Sequence, residues 1–170
     1  MMLVSSSKVR IRKGRPADAE ALAGIFRDSW QQAYRSIIPP LYLETMIRRR
    51  GSEWWAASLR SGDTILLLEV AGKPAGYATC GPSRARGPFE GEIYELYLSP
   101  IYQGLGFGEH LFEACRATLD SRRLNGMMVW ALSANTPAID FYWRRGGRPL
   151  GKSFDRFGGA KLEKISLVWS

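Results

Sequence analysis

The chain has 170 residues, 45% of them hydrophobic and 24% charged, with a formal net charge of +8. That balance describes one folded domain with a core of its own. It excludes a chain that needs disulfide staples to fold, and no apolar run approaches the roughly 20 residues of a membrane span. The opening MMLVSSSKVRIRKG has neither a long apolar stretch nor a small-residue cleavage site, so it does not read as a signal peptide. Residues 1–8 are expected to be disordered within a single domain spanning 1–170. Cys80 and Cys115 fall on different elements, so buried thiols and a reducing, cytoplasmic setting are expected rather than a disulfide framework. The basic excess suits an anionic partner: nucleic acid, an acidic protein surface or a polyphosphate cofactor. Yet the arginines are scattered from Arg10 to Arg148 rather than gathered on one face, which favours a solvated basic surface.

In chain order, KVRIR alternates as a short strand. Pro16-Ala17-Asp18 then opens a helix that carries Leu22, Ile25, Phe26, Ser29, Trp30 and Ala33 on one face. IIPP breaks it, and LYLETMIRRR and SEWWAASLR are shorter helical pieces. Trp54 and Trp55 are adjacent on the second of these, so they cannot both face inward. TILLLEV and AGYATC, joined by AGKP, read as a hairpin, GPSRARGPFEG as a loop and EIYELYLSP as a strand. A helix from about Gly106 places Leu111, Phe112, Cys115 and Leu119 on its inner face. MMVWALS is a strand. TPAIDFYWRR is a helix with Thr136 as N-cap and Pro137 in its first position, and GRPLGKSF and EKISLVWS are two last strands. Strand, helix and strand in succession over residues 92–132 imply a parallel crossover, and hairpins flank it. The expected fold class is α/β (α+β): a mixed, mostly antiparallel sheet with helices on both faces.

Two glycine-rich stretches compete as phosphate loops. GGRPLGKS, Gly146 to Ser153, fits G-x-x-x-x-G-K-[ST]. Its context is wrong, because a helix precedes it, a strand follows it, and no helix dipole is aimed at the loop. QGLGFGEHLF, from Gln103 to Phe112, follows a strand and enters a helix. Its backbone N–H groups and the positive end of the helix dipole can meet an anion there. Glu109 stands where a dinucleotide fingerprint needs glycine.

LYLSPIYQGLGFGEHL followed by NTPAIDFYWRRGG resembles the GCN5-related N-acetyltransferase (GNAT) family. The first signature, Q/R-x-x-G-x-G/A after a strand, is carried by Gln103, Gly106 and Gly108 after Leu96-Tyr97-Leu98. The second is carried by Asn135, Ala138, Phe141 and Tyr142. VRIRKGRPADAEALAGIF is similar to the family's first strand and helix, so the resemblance covers nearly the whole chain. Gln103 replaces the commoner Arg, and Leu98 the commoner Val.

The resemblance implies transfer of an acetyl group from acetyl-CoA, as co-substrate and without a metal, to a primary amine. In that reading Gln103, Gly104, Leu105, Gly106, Phe107 and Gly108 wrap the CoA diphosphate. Leu96, Tyr97 and Leu98 pair through their backbone with the pantetheine arm, Asn135 bonds that arm or caps its helix, and Tyr142 protonates the departing thiolate. A lysine-like ammonium is a free nucleophile in only about one molecule in 2,500 at pH 7, so a base or a water chain is needed. Family alignment favours Glu92. Glu95 is the alternative, and the two face opposite sides of a strand without a bulge. Trp30 and Tyr34 sit on a segment like the acceptor wall of some relatives, and core packing is the competing account of both. Attack is expected to be direct, since no nucleophile–base pair is evident. A homodimer is in keeping with the resemblance; a membrane partner is not expected. Two other readings stay open: a CoA-binding module without transfer activity, and a basic nucleic-acid or ribosome-associated protein.

Overall fold

The computed structural model describes residues 8–170. The expected disorder of residues 1–8 therefore falls almost wholly outside the described residues, and the Lys8 carbonyl accepts the Ala71 N–H at 2.9 Å. The elements are β1 (Val9–Lys13), α1 (Ala19–Tyr34), α2 (Pro40–Arg49), α3 (Ser52–Arg60), β2 (Ile65–Val70), β3 (Lys73–Pro82), β4 (Gly91–Leu98), α4 (Phe107–Ser121), β5 (Met127–Leu132), α5 (Thr136–Arg144), β6 (Arg148–Phe157) and β7 (Ala160–Trp169). The seven strands lie in the order β1-β2-β3-β4-β5-β7-β6, and every neighbouring pair is antiparallel except β4–β5. GGRPLGKS enters β6 directly, so it has no helix to aim at a phosphate.

Helices cover both faces. On one side, α4 lays Leu111, Phe112, Cys115 and Leu119 against Leu68, Ala78, Ile93, Val129 and Leu167. On the other, Leu22, Ile25 and Phe26 of α1 and Trp55 of α3 cover Ile65, Leu67 and Tyr77. Each large side chain fully buried here contributes on the order of 1.5–3 kcal/mol relative to exposure. Trp55 is buried while its neighbour Trp54 is exposed, as their adjacency on one helix requires. Cys80 and Cys115 are buried free thiols in the α4-side core. Among the described residues, no helix is long and apolar enough to cross a membrane.

One irregularity resets the site. Thr79 pairs with Glu95 but Cys80 pairs with Ile93, so Tyr94 is an extra residue on β4. Ile93, Leu96 and Leu98 consequently all join the α4-side core, although three positions separate the first two. Glu92 and Glu95, opposite in phase to Ile93 and Leu96, then share the α1 face. The expectation that they face opposite sides holds only without a bulge, and this strand has one.

Candidate active site

β4 and β5 pair only from Gly91 to Ile93 and from Met127 to Val129. Beyond that point β4 keeps only β3 and β5 keeps only β7. The backbone of Leu96 to Leu98 is left with a free edge, and a cleft of about 850 Å³ opens between the diverging strand ends. Leu96, Tyr97 and Leu98 form one wall of it. Gln103, Gly104, Gly106 and Gly108 form its end, and Asn135 and Tyr142 lie on the far side.

Three glycines of the bend have two different jobs. Gly104 and Gly106 adopt left-handed φ of 76° and 85°. Nothing lies within 4 Å of where a Cβ would sit on either. Gly106 is also the N-cap of α4 and offers no side chain to the first-turn N–H groups. The result is an open bend ending on unpaired donors and a positive dipole, which fits a phosphate. Gly108 instead makes room: a Cβ there would sit 3.0 Å from Cε2 of Phe141, at the α4–α5 contact. Gln103 Nε2 donates to the Leu98 carbonyl at 3.0 Å, tying the bend to the end of β4. Leu105 is exposed and Phe107 is buried in the core beside Tyr102; neither is on the cleft wall.

The N-cap of α5 is Asn135, not Thr136. Its Oδ1 accepts the Ala138 N–H at 3.4 Å, and Thr136 is the first residue of the helix. Asparagine's short side chain reaches this donor from just outside the helix, which fixes the helix start one residue earlier than the Thr-Pro pair suggests. Two turns on, Tyr142 packs against Phe112 and Trp169. Burial, its largest influence, pushes the Tyr142 phenol well above its ordinary value, so it stays protonated.

The two strand carboxylates are already engaged. Glu92 is buried and accepts the Arg84 N–H at 2.9 Å and Arg84 Nη2 at 3.3 Å, closing the β3–β4 loop. Glu95 accepts Arg50 Nη1 at 3.1 Å, Arg50 Nη2 at 2.8 Å and the Tyr77 hydroxyl at 2.7 Å. Neither lies on the cleft wall. Trp30 and Tyr34 are off the wall too. Tyr34 is buried, its hydroxyl 2.6 Å from that of Tyr97, and Trp30 packs between Phe26, Tyr34 and Tyr97. The wall that α1 does present is Ser29, Gln32 and Ala33, continued by Ser36 and Ile37 in the turn beyond it. Their i, i+3, i+4, i+7, i+8 spacing is a helical stripe, of which the apolar patterning marks Ser29 and Ala33 but passes over Gln32, Ser36 and Ile37. Arg144 and Arg145 at the α5 end of the cleft are likewise not distinguished by the sequence from the other arginines. Among the described residues, no group of three or more His, Cys, Asp or Glu side chains is placed to hold a metal.

A mixed sheet pried open between its two parallel strands, with a glycine bend feeding a helix at the opening, defines an acyl-CoA-dependent acyltransferase fold. The sequence model described as "Acetyltransferase (GNAT) family" matches residues 23–147, and the chain belongs to that family. It is similar to YuaI, an uncharacterized N-acetyltransferase of Bacillus subtilis, at 26% identity over 95% of this chain and 92% of the relative. A GCN5-related N-acetyltransferase from Rhodopseudomonas palustris superposes with a TM-score of 0.77 at 25% identity, covering 100% of this chain and 99% of that one. The PaiA N-acetyltransferase of Thermoplasma acidophilum, solved in complex with coenzyme A, superposes with a TM-score of 0.71 at 20% identity, covering 92% and 97%.

Proposed function

We propose that this chain transfers an acetyl group from acetyl-CoA to a primary amine by direct attack, with no acyl-enzyme. The observation that carries this reading is the open Gly104–Gly106 bend at the N-terminus of α4, set beside the free edge of Leu96 to Leu98. The N–H groups from Gly104 to Gly108 hold the diphosphate, since the Gln103 N–H is bonded to the Pro100 carbonyl at 3.2 Å. Arg144 and Arg145, at the same end of the cleft, supply cations for the remaining phosphate. The free edge of β4 bonds the pantetheine arm as an added strand would, and one of its N–H groups donates to the thioester carbonyl. Acetyl-CoA itself supplies the activated acetyl group.

Tyr142 gives the departing sulfur its proton. A phenol held above its ordinary value is protonated at rest across the working range, and the proton it gives to the sulfur is replaced from the water that takes the ammonium proton, which closes the cycle. Asn135 fixes the start of α5 and with it the position of Tyr142 two turns later. Glu92 and Glu95 keep their own partners, and the ammonium proton leaves to water rather than directly to either of them. Calorimetry with acetyl-CoA and a thiol-release assay with an amine panel test the proposal. Uptake of acetyl-CoA together with amine-dependent thiol release is expected. Absence of uptake, or equal release without amine, would sink it.

A further inference from the structure

The acceptor side of the cleft carries information about the amine itself. The wall from α1 and the turn after it consists of Ser29, Gln32, Ala33, Ser36 and Ile37, and none of these titrates or bears charge. β4 contributes Tyr97, whose phenol burial pushes well up, so it accepts no proton near neutrality. α5 contributes Tyr142, Arg144 and Arg145. The carboxylates on the cleft wall, among the described residues, are Glu109 and Asp140. Both are on the coenzyme side, and each faces a cation: Glu109 is 3.8 Å from Arg145 and Asp140 is 3.0 Å from Arg144.

Two consequences follow. First, no side chain on this wall is placed to take a proton from the incoming ammonium, so the acceptor must arrive largely as free amine. At pH 7 roughly one ε-amine in 2,500 is unprotonated, against about one α-amine in seven, a ratio of several hundred. Second, the cleft carboxylates Glu109 and Asp140 stand beside Arg144 and Arg145 rather than on the α1 wall, so a second positive charge on the acceptor would find no anion there, while the hydroxyl of Ser36 and the amide of Gln32 suit an uncharged polar body.

From this, resting on the acetyl-transfer reading above, we infer that the acceptor is a weakly basic amine, an α-amine or its like, on a polar body without further positive charge. Polyamines and lysine side chains are poor acceptors for the same reasons.

The test is thiol release from acetyl-CoA with alaninamide, Nα-acetyl-lysinamide and spermidine as acceptors, each from pH 6 to 10. At pH 7 the kcat/KM for alaninamide is expected to exceed that for either other amine by more than tenfold. That margin allows for the lower intrinsic reactivity of the less basic amine. The logarithm of kcat/KM should rise with unit slope and bend only near the amine's own pKa. A preference of less than tenfold, or an additional bend in the carboxylate or imidazole range, overturns the inference while leaving acetyl transfer intact. Thiol release with none of the three, when calorimetry shows acetyl-CoA bound, overturns the acetyl-transfer reading and this inference with it.

Discussion

The hydroxyls of Tyr34 and Tyr97 meet at 2.6 Å, joining the last turn of α1 to the part of β4 that β5 has left. A strand edge stripped of one neighbour needs another support, and this bond supplies it from the opposite layer. Burial raises both phenols, so the bond runs between two neutral groups. Replacing either tyrosine by Phe should cost about 1–3 kcal/mol, because the surviving hydroxyl is left buried without its partner. Replacing both should cost less than the sum, with a coupling of about 0.5–1.5 kcal/mol. Urea unfolding of the four proteins measures it, and strict additivity would show that the hydroxyls do not act as a pair.

Gly106 and Gly108 should separate on substitution. Gly106→Ala forces a left-handed residue into open space, at a cost of about 1–2 kcal/mol confined to the bend. Gly108→Ala drives a methyl against Phe141 and should cost about 1–3 kcal/mol through the α4–α5 packing. Calorimetric titration should then show acetyl-CoA affinity falling at least tenfold in Gly106→Ala, whereas Gly108→Ala should show its larger effect in the unfolding midpoint. The reverse pattern would mean that Gly108, not Gly106, shapes the phosphate cradle.

Glu95 behaves in this fold as an anchor. Its two bonds from Arg50 hold a guanidinium that stacks 4.1 Å from the rings of both Phe26 and Trp54. Both partners are about four-fifths buried, with side-chain exposures of 18% each. Glu95→Gln keeps the shape but strands the cation, and about 2–4 kcal/mol of stability should be lost. If thermal unfolding of the variant matches the parent, the pair is not structural. A loss of turnover with unchanged stability would instead restore Glu95 as a chemical participant.

Acid stability should depend on Asp18. Its carboxyl accepts Arg12 Nη1 and Nη2, each at 2.8 Å, and the Arg15 N–H at 2.7 Å. The Arg12 bonds, more than any other influence, hold it below its ordinary value of 3.8, against the opposing effect of burial. A carboxyl depressed in the folded state adds stability that is fully present above the unfolded value, and that stability is lost as pH falls through the folded value. Asp18→Asn should therefore lower stability at pH 7 and flatten the decline below about pH 4. Urea midpoints between pH 2 and 7 measure both; an unchanged acid slope would count against the assignment.

The parts of the fold that sequence reasoning reaches are those governed by local rules. The α4 stripe Leu111, Phe112, Cys115 and Leu119 is buried as its spacing demands, and the crossover from β4 through α4 to β5 follows from strand, glycine bend and helix in succession. The bulge at Tyr94 leaves no such mark, since Tyr suits a regular strand as well as a bulged one, and the facing of Glu92 and Glu95 turns on it. Their partners are no more legible. Arg50 is 45 positions from Glu95, and nothing local distinguishes it from Arg48 and Arg49. Trp30 and Tyr34 look like candidates for substrate because they are aromatic. The fold turns both into packing, and it gives the cleft to the small and polar residues on the neighbouring stripe of α1. That choice depends on how α1 is rotated over the sheet, and the large side chains decide it by taking the core.

Tyr142 separates chemistry from packing most cleanly. Phe141 and Tyr142 are adjacent aromatics in α5, with ring centroids 5.2 Å apart. Both contact the α4-side core, so burial alone does not assign a role. Both line the cleft, and the phenol differs in carrying a proton that burial keeps on it at rest. Tyr142→Phe preserves ring and volume, so unfolding and acetyl-CoA affinity should stay within about 1 kcal/mol and threefold of the parent. If the hydroxyl protonates the leaving sulfur, kcat should fall by about 10²-fold or more. The parent's kcat should also show no alkaline decline near pH 10, because the donor titrates above it. A kcat within threefold of the parent would mean that the thiolate departs unassisted and that Tyr142 is core.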